Sequence, residues 1–176
     1  MLYTGKGDDG TTKVFGCDQQ RIAKSSEVPE ALGALDELNA FLGFIKMHPG
    51  APERIAGGLR KAQEALFIIQ AEIAGSDKRI KAEAVEELGA AVNQIEKEIP
   101  PITKFSIAGG TELSAKLDVA RTVARRAERR VTAAALTGRA VSDPARAYLN
   151  RLSSLLFAYA RLVNHRAGVR EEVPRY

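Results

Sequence analysis

Five stretches of the sequence repeat apolar residues at helical spacing, and this periodicity limits the folds open to the chain. The longest series steps by three and four residues from Leu113 through Leu117 and Ala120 to Val131 and Ala134, which places its members on one helix face. No stretch alternates apolar and polar residues with the β-branched content of a strand. Each predicted helix is amphipathic, as is typical of helices packed around a shared core. The pattern therefore predicts an all-α protein.

Proline, glycine and capping residues set the expected limits of these helices. Pro52 breaks the periodicity, Thr111 follows two glycines as an expected N-cap, and Asp143 before a proline is a typical helix start. The predicted helices span 29–47, 52–75, 81–99, 111–137 and 143–167. We expect residues 1–176 to form one domain, with a Gly-rich arm (1–27), a helical bundle (29–167) and a tail (168–176).

Length and composition exclude several classes of protein. The 176 residues suit one domain with a real core, and no run of 18 apolar residues could cross a bilayer. The start of the chain carries no pattern of an export or transit signal, so the expected location is the cytoplasm. Cys17 cannot form an internal disulfide, and with only His48 and His165 in the chain we expect no metal site.

The net charge of +4 is unevenly distributed along the chain. Residues 1–100 hold 12 Lys/Arg and 16 Asp/Glu, whereas residues 101–176 hold 14 and 6. Of the later 14 cations, 12 are arginine, whose rigid fork suits phosphate and carboxylate better than lysine does. An anionic ligand is therefore expected, with nucleotide and nucleic acid both open.

The arm contains GKGDDG at residues 5–10, which matches the pattern G-x-G-x-x-G but lacks the surrounding elements that give this pattern its function. The strand before it and the helix after it that a dinucleotide fold needs are missing, as are kinase and Walker A signatures. Its glycines would still let backbone N–H groups converge on an anion, to which Lys6 adds charge and Thr11 and Thr12 add hydroxyls. A phosphate site and an unstructured tail both remain open from this segment alone.

A second candidate site lies on the fourth predicted helix. Arg121, Arg125 and Glu128 share one face at i, i+4 and i+7. They border a stripe of small residues that includes Ala120 and Ala124, which predicts a partly desolvated Arg125 with a strong hold on phosphate. The alternatives are a solvated basic helix with internal ion pairs and a nucleic-acid stripe. The low aromatic content of 6% and the absence of Trp argue against a nucleic-acid-binding surface.

Two polar residues interrupt predicted core faces, Asp36 on the first helix and Asn150 on the last. Both types have poor propensity for a helix interior, so each is expected to have a hydrogen-bonding or ionic role. An exposed polar residue with no special role is the alternative.

Four sequence blocks, spread in order across nearly the whole chain, resemble the ATP:cob(I)alamin adenosyltransferases of the propanediol-utilisation type. The blocks are YTGKGDDGTT (3–12), GALDELN (33–39), RTVARRAERR (121–130) and YLNRLS (148–153). The resemblance implies a ferritin-like, up-and-down five-helix bundle that assembles as a homotrimer with active sites between subunits. The implied reaction moves the 5′-deoxyadenosyl group of ATP to the cobalt of cob(I)alamin, forming adenosylcobalamin and releasing triphosphate.

The resemblance also implies roles for individual residues. Seven arm residues correspond to ATP contacts: Thr4, Gly5, Lys6, Gly7, Thr11, Thr12 and Lys24. Five helix residues correspond to further ATP contacts: Arg125, Arg126, Glu128, Arg129 and Asn150. Asp36 and Arg121 match a salt bridge between subunits that shapes the site, and together with Arg125 they are the expected catalytic residues. Phe105 matches an aromatic residue that shields the lower face of the corrin.

Three departures from the family pattern stand out. Lys6 lies one position after the family's usual lysine, and this shift leaves its exact phosphate contact open. SIAGG follows Phe105 where ILPGG is common in the family, and Asp118 replaces a frequent histidine. These two departures leave the detailed packing around the corrinoid open.

The implied chemistry fits the residue types. Cob(I)alamin is itself a strong nucleophile, so the reaction needs no Ser–His or Cys–His pair. The protein has to neutralise triphosphate with arginines, Lys6, backbone amides and Mg²⁺, and to aim C5′ at cobalt. An apolar wall at Phe105 would favour four-coordinate, reducible cobalt, whereas ligation by His165 would oppose reduction. A reductase and an adenosylcobalamin-dependent enzyme are candidate partners; nucleic acid and membranes are not expected.

Overall fold

The computed structural model describes residues 3–15 and 20–176, so Cys17 lies outside the described residues. It contains five helices, α1 (Glu27–Lys46), α2 (Glu53–Ala74), α3 (Ala82–Glu96), α4 (Glu112–Leu136) and α5 (Asp143–Arg166). Two short strands in the arm, β1 (Thr11–Thr12) and β2 (Ile22–Ala23), pair antiparallel. The all-α prediction is confirmed. The predicted helix limits agree within three residues, the largest difference being the earlier end of α3.

The helices pack in the spatial order α2, α1, α4, α5, α3. Helices α4 and α5 run antiparallel, because Thr111 contacts Asn164 and Arg121 contacts Phe157. Ion pairs between Glu37 and Arg126 and between Glu30 and Arg130 hold α1 antiparallel to α4. The start of α1 and the end of α4 therefore lie at one end of the bundle, the arm end. The end of α1, the start of α4 and the end of α5 lie at the other, the loop end.

Leucine, isoleucine and alanine form the core between the helices. Residues from the predicted apolar faces, such as Leu35, Leu66 and Leu117, are fully buried. The core face of α4 includes four alanines, which let α1 and α5 approach closely on its two sides. The opposite helix faces carry charged residues. Among the described residues, no helix combines the length and apolarity needed to span a bilayer.

Side-chain caps define where α4 and α5 begin. The Thr111 hydroxyl accepts a hydrogen bond from the Ser114 N–H at 3.1 Å, which confirms the predicted N-cap. The Ser142 hydroxyl accepts from the Ala145 N–H at 3.3 Å. The buried carboxylate of Glu72 on α2 in turn accepts from the Ser142 N–H at 2.5 Å and from its hydroxyl at 3.2 Å. One acid on α2 thus fixes the start of α5.

Two adjacent glycines in α2 allow a matched test of this packing. A Cβ at Gly58 would collide with the hydroxyl of Tyr159 and lie 3.0 Å from its Cζ, whereas a Cβ at Gly57 meets nothing within 4 Å. Because the Tyr159 side chain is buried, Gly58→Ala should lower the free energy of unfolding by about 1–3 kcal/mol. Gly57→Ala should raise it by up to about 1 kcal/mol through helix propensity. Urea denaturation measures both; equal stabilities would show that Tyr159 moves aside.

Candidate functional site

The arm folds around a cavity of about 430 Å³ that is rich in cations and hydroxyls. Its lining is Thr4, Lys6, Gly7, Thr11, Thr12, Lys13, Arg21 and Lys24. Six of these eight residues are among the seven arm residues that the sequence predicts as ATP contacts. The seventh, Gly5, lies outside the lining and adopts a φ of 67°. Lysine and arginine side chains gathered in this way favour an anionic ligand.

Arg21 ties two segments of the arm together around this cavity. Its Nε donates to the Thr11 hydroxyl at 2.5 Å, and its Nη2 donates to the Thr11 carbonyl at 2.9 Å and to the Lys6 carbonyl. Sequence reasoning missed Arg21 as a site residue. The sequence signal for a site residue was its position three residues before the predicted phosphate contact Lys24, although that position does not reveal its partners.

Asp9 completes the same hydrogen-bond network. Its carboxylate accepts from the Thr11 hydroxyl at 2.7 Å and from the Thr11 N–H at 2.9 Å, and it lies 3.5 Å from Arg21. These hydrogen bonds, that of the hydroxyl foremost, together with Arg21 hold the pKa of Asp9 below its usual value. Because its hydroxyl proton is directed to Asp9, Thr11 acts in this arrangement as part of the cavity wall.

Glycine at position 7 lets a lysine approach the loop closely. A Cβ there would lie 3.1 Å from Nζ of Lys24 and 3.2 Å from the Thr11 carbonyl oxygen. The Lys24 N–H donates to the Gly10 carbonyl at 2.9 Å, which fixes the backbone that carries this lysine. Lys24 and Lys6 thereby reach one cavity from two segments of the arm.

The five arginines of α4 between residues 121 and 130 divide into groups with different partners. Arg126 and Arg130 pair with acids of α1. Arg129 donates to the carbonyl of Arg125 at 3.0 Å. Arg126, a predicted ATP contact, therefore joins α1 to α4 in this structure.

Arg121 faces α5. Its Nε donates to the Asp118 carboxylate at 3.3 Å, and its guanidinium lies 5.7 Å from the ring centre of Phe157. The predicted partner Asp36 is exposed on α1. Within one chain the structure does not bring Asp36 and Arg121 together.

Arg125 is exposed in the single chain, so its partial desolvation stays a prediction for the assembled protein. Ala120, Ala124 and Ala127 are fully buried because they form the core face of α4. Arg125 instead lies on the outer surface, and among residues 3–15 and 20–176 no ion pair between it and Glu128 is recorded. The guanidinium is accessible to a ligand.

The antiparallel register of α4 and α5 places Asn150 near this arginine face. Arg121 lies against Phe157, and seven residues along each helix, in opposite directions, lead to Glu128 and Asn150. Asn150 is exposed and Glu128 half-buried. Arg125, Glu128 and Asn150 therefore lie along the α4–α5 surface.

Phe105 lies at the loop end, on the rim of a second cavity of about 510 Å³. The cavity separates residues 99–106 from the tail, and His165 also lines it. Phe105 is 80% exposed, so its ring is available to a ligand.

The glycines that follow Phe105 are fixed by side chains of α4 and α5. Asp118 accepts from the Gly109 N–H at 3.2 Å, while Asn164 donates to the Gly109 carbonyl at 2.7 Å and accepts from the Thr111 N–H at 3.1 Å. A Cβ at Gly110 would collide with Asn164, and its φ of 110° favours glycine. Asp118, one of the departures from the family pattern, thus holds this loop and Arg121 together.

Comparison with known proteins places these features in one family. The family model described as cobalamin adenosyltransferase matches residues 2–163. The chain belongs to the cobalamin adenosyltransferase family. A corrinoid adenosyltransferase from Bacillus subtilis is 36% identical over 176 residues, which cover 96% of this chain and 89% of the relative. The corrinoid adenosyltransferase PduO from Salmonella typhimurium is 36% identical over 184 residues, which cover 99% of this chain and 54% of the relative.

A solved structure extends the likeness to the fold. It is a phenylalanine-to-histidine variant of the PduO-type ATP:corrinoid adenosyltransferase from Lactobacillus reuteri, complexed with cobalamin and ATP. The two chains superpose with a TM-score of 0.91 at 27% identity, covering 99% of this chain and 97% of the other. The five-helix bundle of this chain is therefore the fold of PduO-type adenosyltransferases.

In this family member the arm cavity and Phe105 lie at opposite ends of the bundle. Lys24 lies three residues before α1 begins, whereas Phe105 lies between α3 and α4, at the loop end. The 25 residues of α4 separate the two ends by about 37 Å, at about 1.5 Å per residue. One chain therefore does not bring the two groups together.

Replacing Arg21 tests its contribution to the arm cavity. A lysine cannot donate to both Thr11 and Lys6 from a planar fork, so Arg21→Lys should weaken MgATP binding about tenfold, the effect of about 1.4 kcal/mol, with little change in thermal stability. Titration calorimetry measures the affinity. Arg60→Lys, on the exposed side of α2 beside Glu64, is the control. Equal affinity in both variants would show that Arg21 does not contribute to nucleotide binding.

Proposed function

We propose that this protein transfers the 5′-deoxyadenosyl group of ATP to the cobalt of cob(I)alamin. The observation that carries the proposal is the arm cavity, where residues expected to contact ATP in this family line one cation-rich space. The relative from Lactobacillus reuteri, complexed with cobalamin and ATP, supports both substrates. Membership of a family of adenosyltransferases supports the reaction type.

The nucleotide is proposed to bind between the arm and the α4–α5 surface. Lys6, Lys24 and the amides of the glycine loop would contact phosphate oxygens, as the cavity they share is open to an anion. Arg125 and Asn150 would contact the nucleotide from the bundle. Further proposed ATP contacts are Arg126, Glu128 and Arg129 on α4 and Thr4, Thr11 and Thr12 in the arm.

Mg²⁺ is proposed to arrive on the triphosphate. Across the described part of the chain, no group of three or more His, Cys, Asp or Glu side chains is arranged to hold a metal ion. In nucleotide sites Mg²⁺ is commonly held by phosphate oxygens and water with few protein ligands.

The reaction is a two-electron displacement at carbon. The electron pair of Co(I) attacks C5′ of ATP, the cobalt–carbon bond forms, and the C5′–O bond breaks with its electrons remaining on the triphosphate. Arg125 is proposed to stabilise the charge that develops on this leaving group. The protein has to align the reactants and neutralise the charge of the triphosphate, because the nucleophile is part of the substrate.

Phe105 is proposed to shield the lower face of the corrin. An exposed aromatic ring on a loop that is anchored at its end by Asp118 and Asn164 can cover apolar surface and keep water away from cobalt. Loss of the lower axial ligand makes the metal easier to reduce, since the axial ligand tunes the potential.

The active site is proposed to form between subunits of a homotrimer. The arm cavity and Phe105 lie at opposite ends of one chain, so a site that uses both needs a second copy. Asp36 is exposed, and we propose that it pairs with Arg121 of an adjacent subunit, beside the contact of Arg121 with Asp118. A reductase that supplies Co(I) and an adenosylcobalamin-dependent enzyme are proposed partners. The single cysteine of the chain favours a reducing cytoplasm.

A visible-light assay tests the reaction and the role of Arg125. The protein is mixed with MgATP and chemically reduced cobalamin, and a light-sensitive cobalt–carbon product should form. Arg125→Ala should lower kcat at least 100-fold while circular dichroism stays unchanged, because an exposed arginine contributes little to folding and much to charge stabilisation. Arg60→Ala on α2 should keep full activity. Unchanged turnover in Arg125→Ala would contradict the site assignment.

Light scattering tests the assembly. The wild-type protein should have three times the 19.0 kDa mass of one chain. Asp36→Lys should reduce this mass or the activity, because it would place a lysine against Arg121 of the neighbouring subunit. Glu53→Lys, at the exposed start of α2, is a control with the same charge change. A fully active monomer would contradict a site between subunits.

A further inference from the structure

The loop that carries Phe105 (residues 97–111, the Phe105 loop) is anchored at both ends. At its start, the Glu98 carboxylate accepts from Arg54 of α2 at 2.5 Å and from Arg166 of α5 at 3.1 Å. The hydrogen bond from Arg54 is the main cause that lowers the pKa of Glu98. At its end, the loop is fixed at Gly109 by the contacts described above.

The tail holds the middle of this loop. The Ile107 N–H donates to the Glu172 carbonyl at 2.8 Å, two residues from Phe105. This backbone bond joins the tail to the segment that presents the ring. The position of the ring therefore depends on where the tail lies.

Arg161 of α5 fastens the tail to the loop. Its Nε donates to Oε1 of Glu171 at 2.6 Å and its Nη2 to Oε2 at 3.3 Å, which gives a two-point ion pair. Nη2 also donates to the Pro100 carbonyl at 2.9 Å. Arg161 is only 8% exposed, and a buried guanidinium strongly favours keeping such partners. One side chain thus links a rigid helix, the tail and the Phe105 loop.

We propose that Arg161 and Glu171 are positioning residues that hold Phe105 at the corrinoid face by locking the tail onto its loop. The inference rests on the proposed function, because it gives the Arg161–Glu171 ion pair a role in corrinoid binding. Neither residue needs to touch the substrate. Their effect passes through Glu172 and Ile107, so it should fall on the corrinoid and spare the nucleotide, which binds at the arm.

Glu171→Gln and Glu172→Gln form a matched pair of variants. Both remove one negative charge from adjacent tail positions, but only Glu171 uses its carboxylate to hold Arg161, whereas Glu172 contributes its backbone carbonyl. Arg161→Lys is a second variant that keeps the positive charge and loses the two-point geometry. Gln at position 171 keeps a side-chain oxygen that can accept from Arg161, and circular dichroism checks that the bundle of each variant is folded.

Hydrogen–deuterium exchange gives a measurement independent of activity. Without ligands, the Ile107 amide should exchange at least tenfold faster in Glu171→Gln than in the wild type, and at the wild-type rate in Glu172→Gln. Equal exchange in all proteins would overturn the proposal, because the ion pair would then not hold the loop.

Kinetics and cobalt spectra separate positioning from a purely structural role. In Glu171→Gln and Arg161→Lys, KM for cob(I)alamin should rise about tenfold while KM for ATP stays constant. The fraction of four-coordinate cob(II)alamin seen by electron paramagnetic resonance with MgATP should fall. Faster exchange with an unchanged corrinoid KM and spectrum would overturn the positioning role. A wild-type protein that forms no adenosylcobalamin would instead overturn the proposed function, and the corrinoid role with it.

Discussion

The close packing of α4 between α1 and α5 is the contact on which the rest of the molecule depends. Ala120, Ala124 and Ala127 have no exposed surface, so the two flanking helices approach the α4 backbone from both sides. The five arginines of α4 between residues 121 and 130 lie outside this core face. Arg126 lies toward α1 and Arg121 toward α5. The small residues thus decide where the arginines of the proposed nucleotide site can lie.

Helix periodicity made the bundle predictable, because each helix buries one face and the apolar spacing records that face directly. The arm residues were predictable only through resemblance, since a glycine loop without flanking strand and helix carries no unique meaning. The contacts of Arg21, Asp118 and Arg161 were not predictable. Each joins segments separated by a turn or a long stretch of sequence, and a single sequence does not record such pairings.

The environment of Arg125 shows the same limit of a single sequence. A stripe of alanine beside an arginine is equally compatible with a crevice for a ligand and with a helix face pressed into the core. Only the positions of α1 and α5 distinguish these cases. The neighbours turned out to bury the alanines and leave the arginine outside. An accessible Arg125 can still bind phosphate, but its hold would then depend on what the ligand or a second subunit excludes from water.

The uneven charge along the chain also has a structural explanation. Acids of the first hundred residues, such as Glu30, Glu37 and Glu98, pair with arginines of the later part. Packing α1 against α4 brings the acidic and basic parts together, so much of the arginine excess is neutralised within the chain. A count of arginines therefore overstates the charge available to a ligand. The arm differs in that its cavity gathers Lys6, Arg21 and Lys24 from separate segments, and Arg21 is paired with Asp9. Cations gathered in this way favour the polyphosphate that we propose binds there.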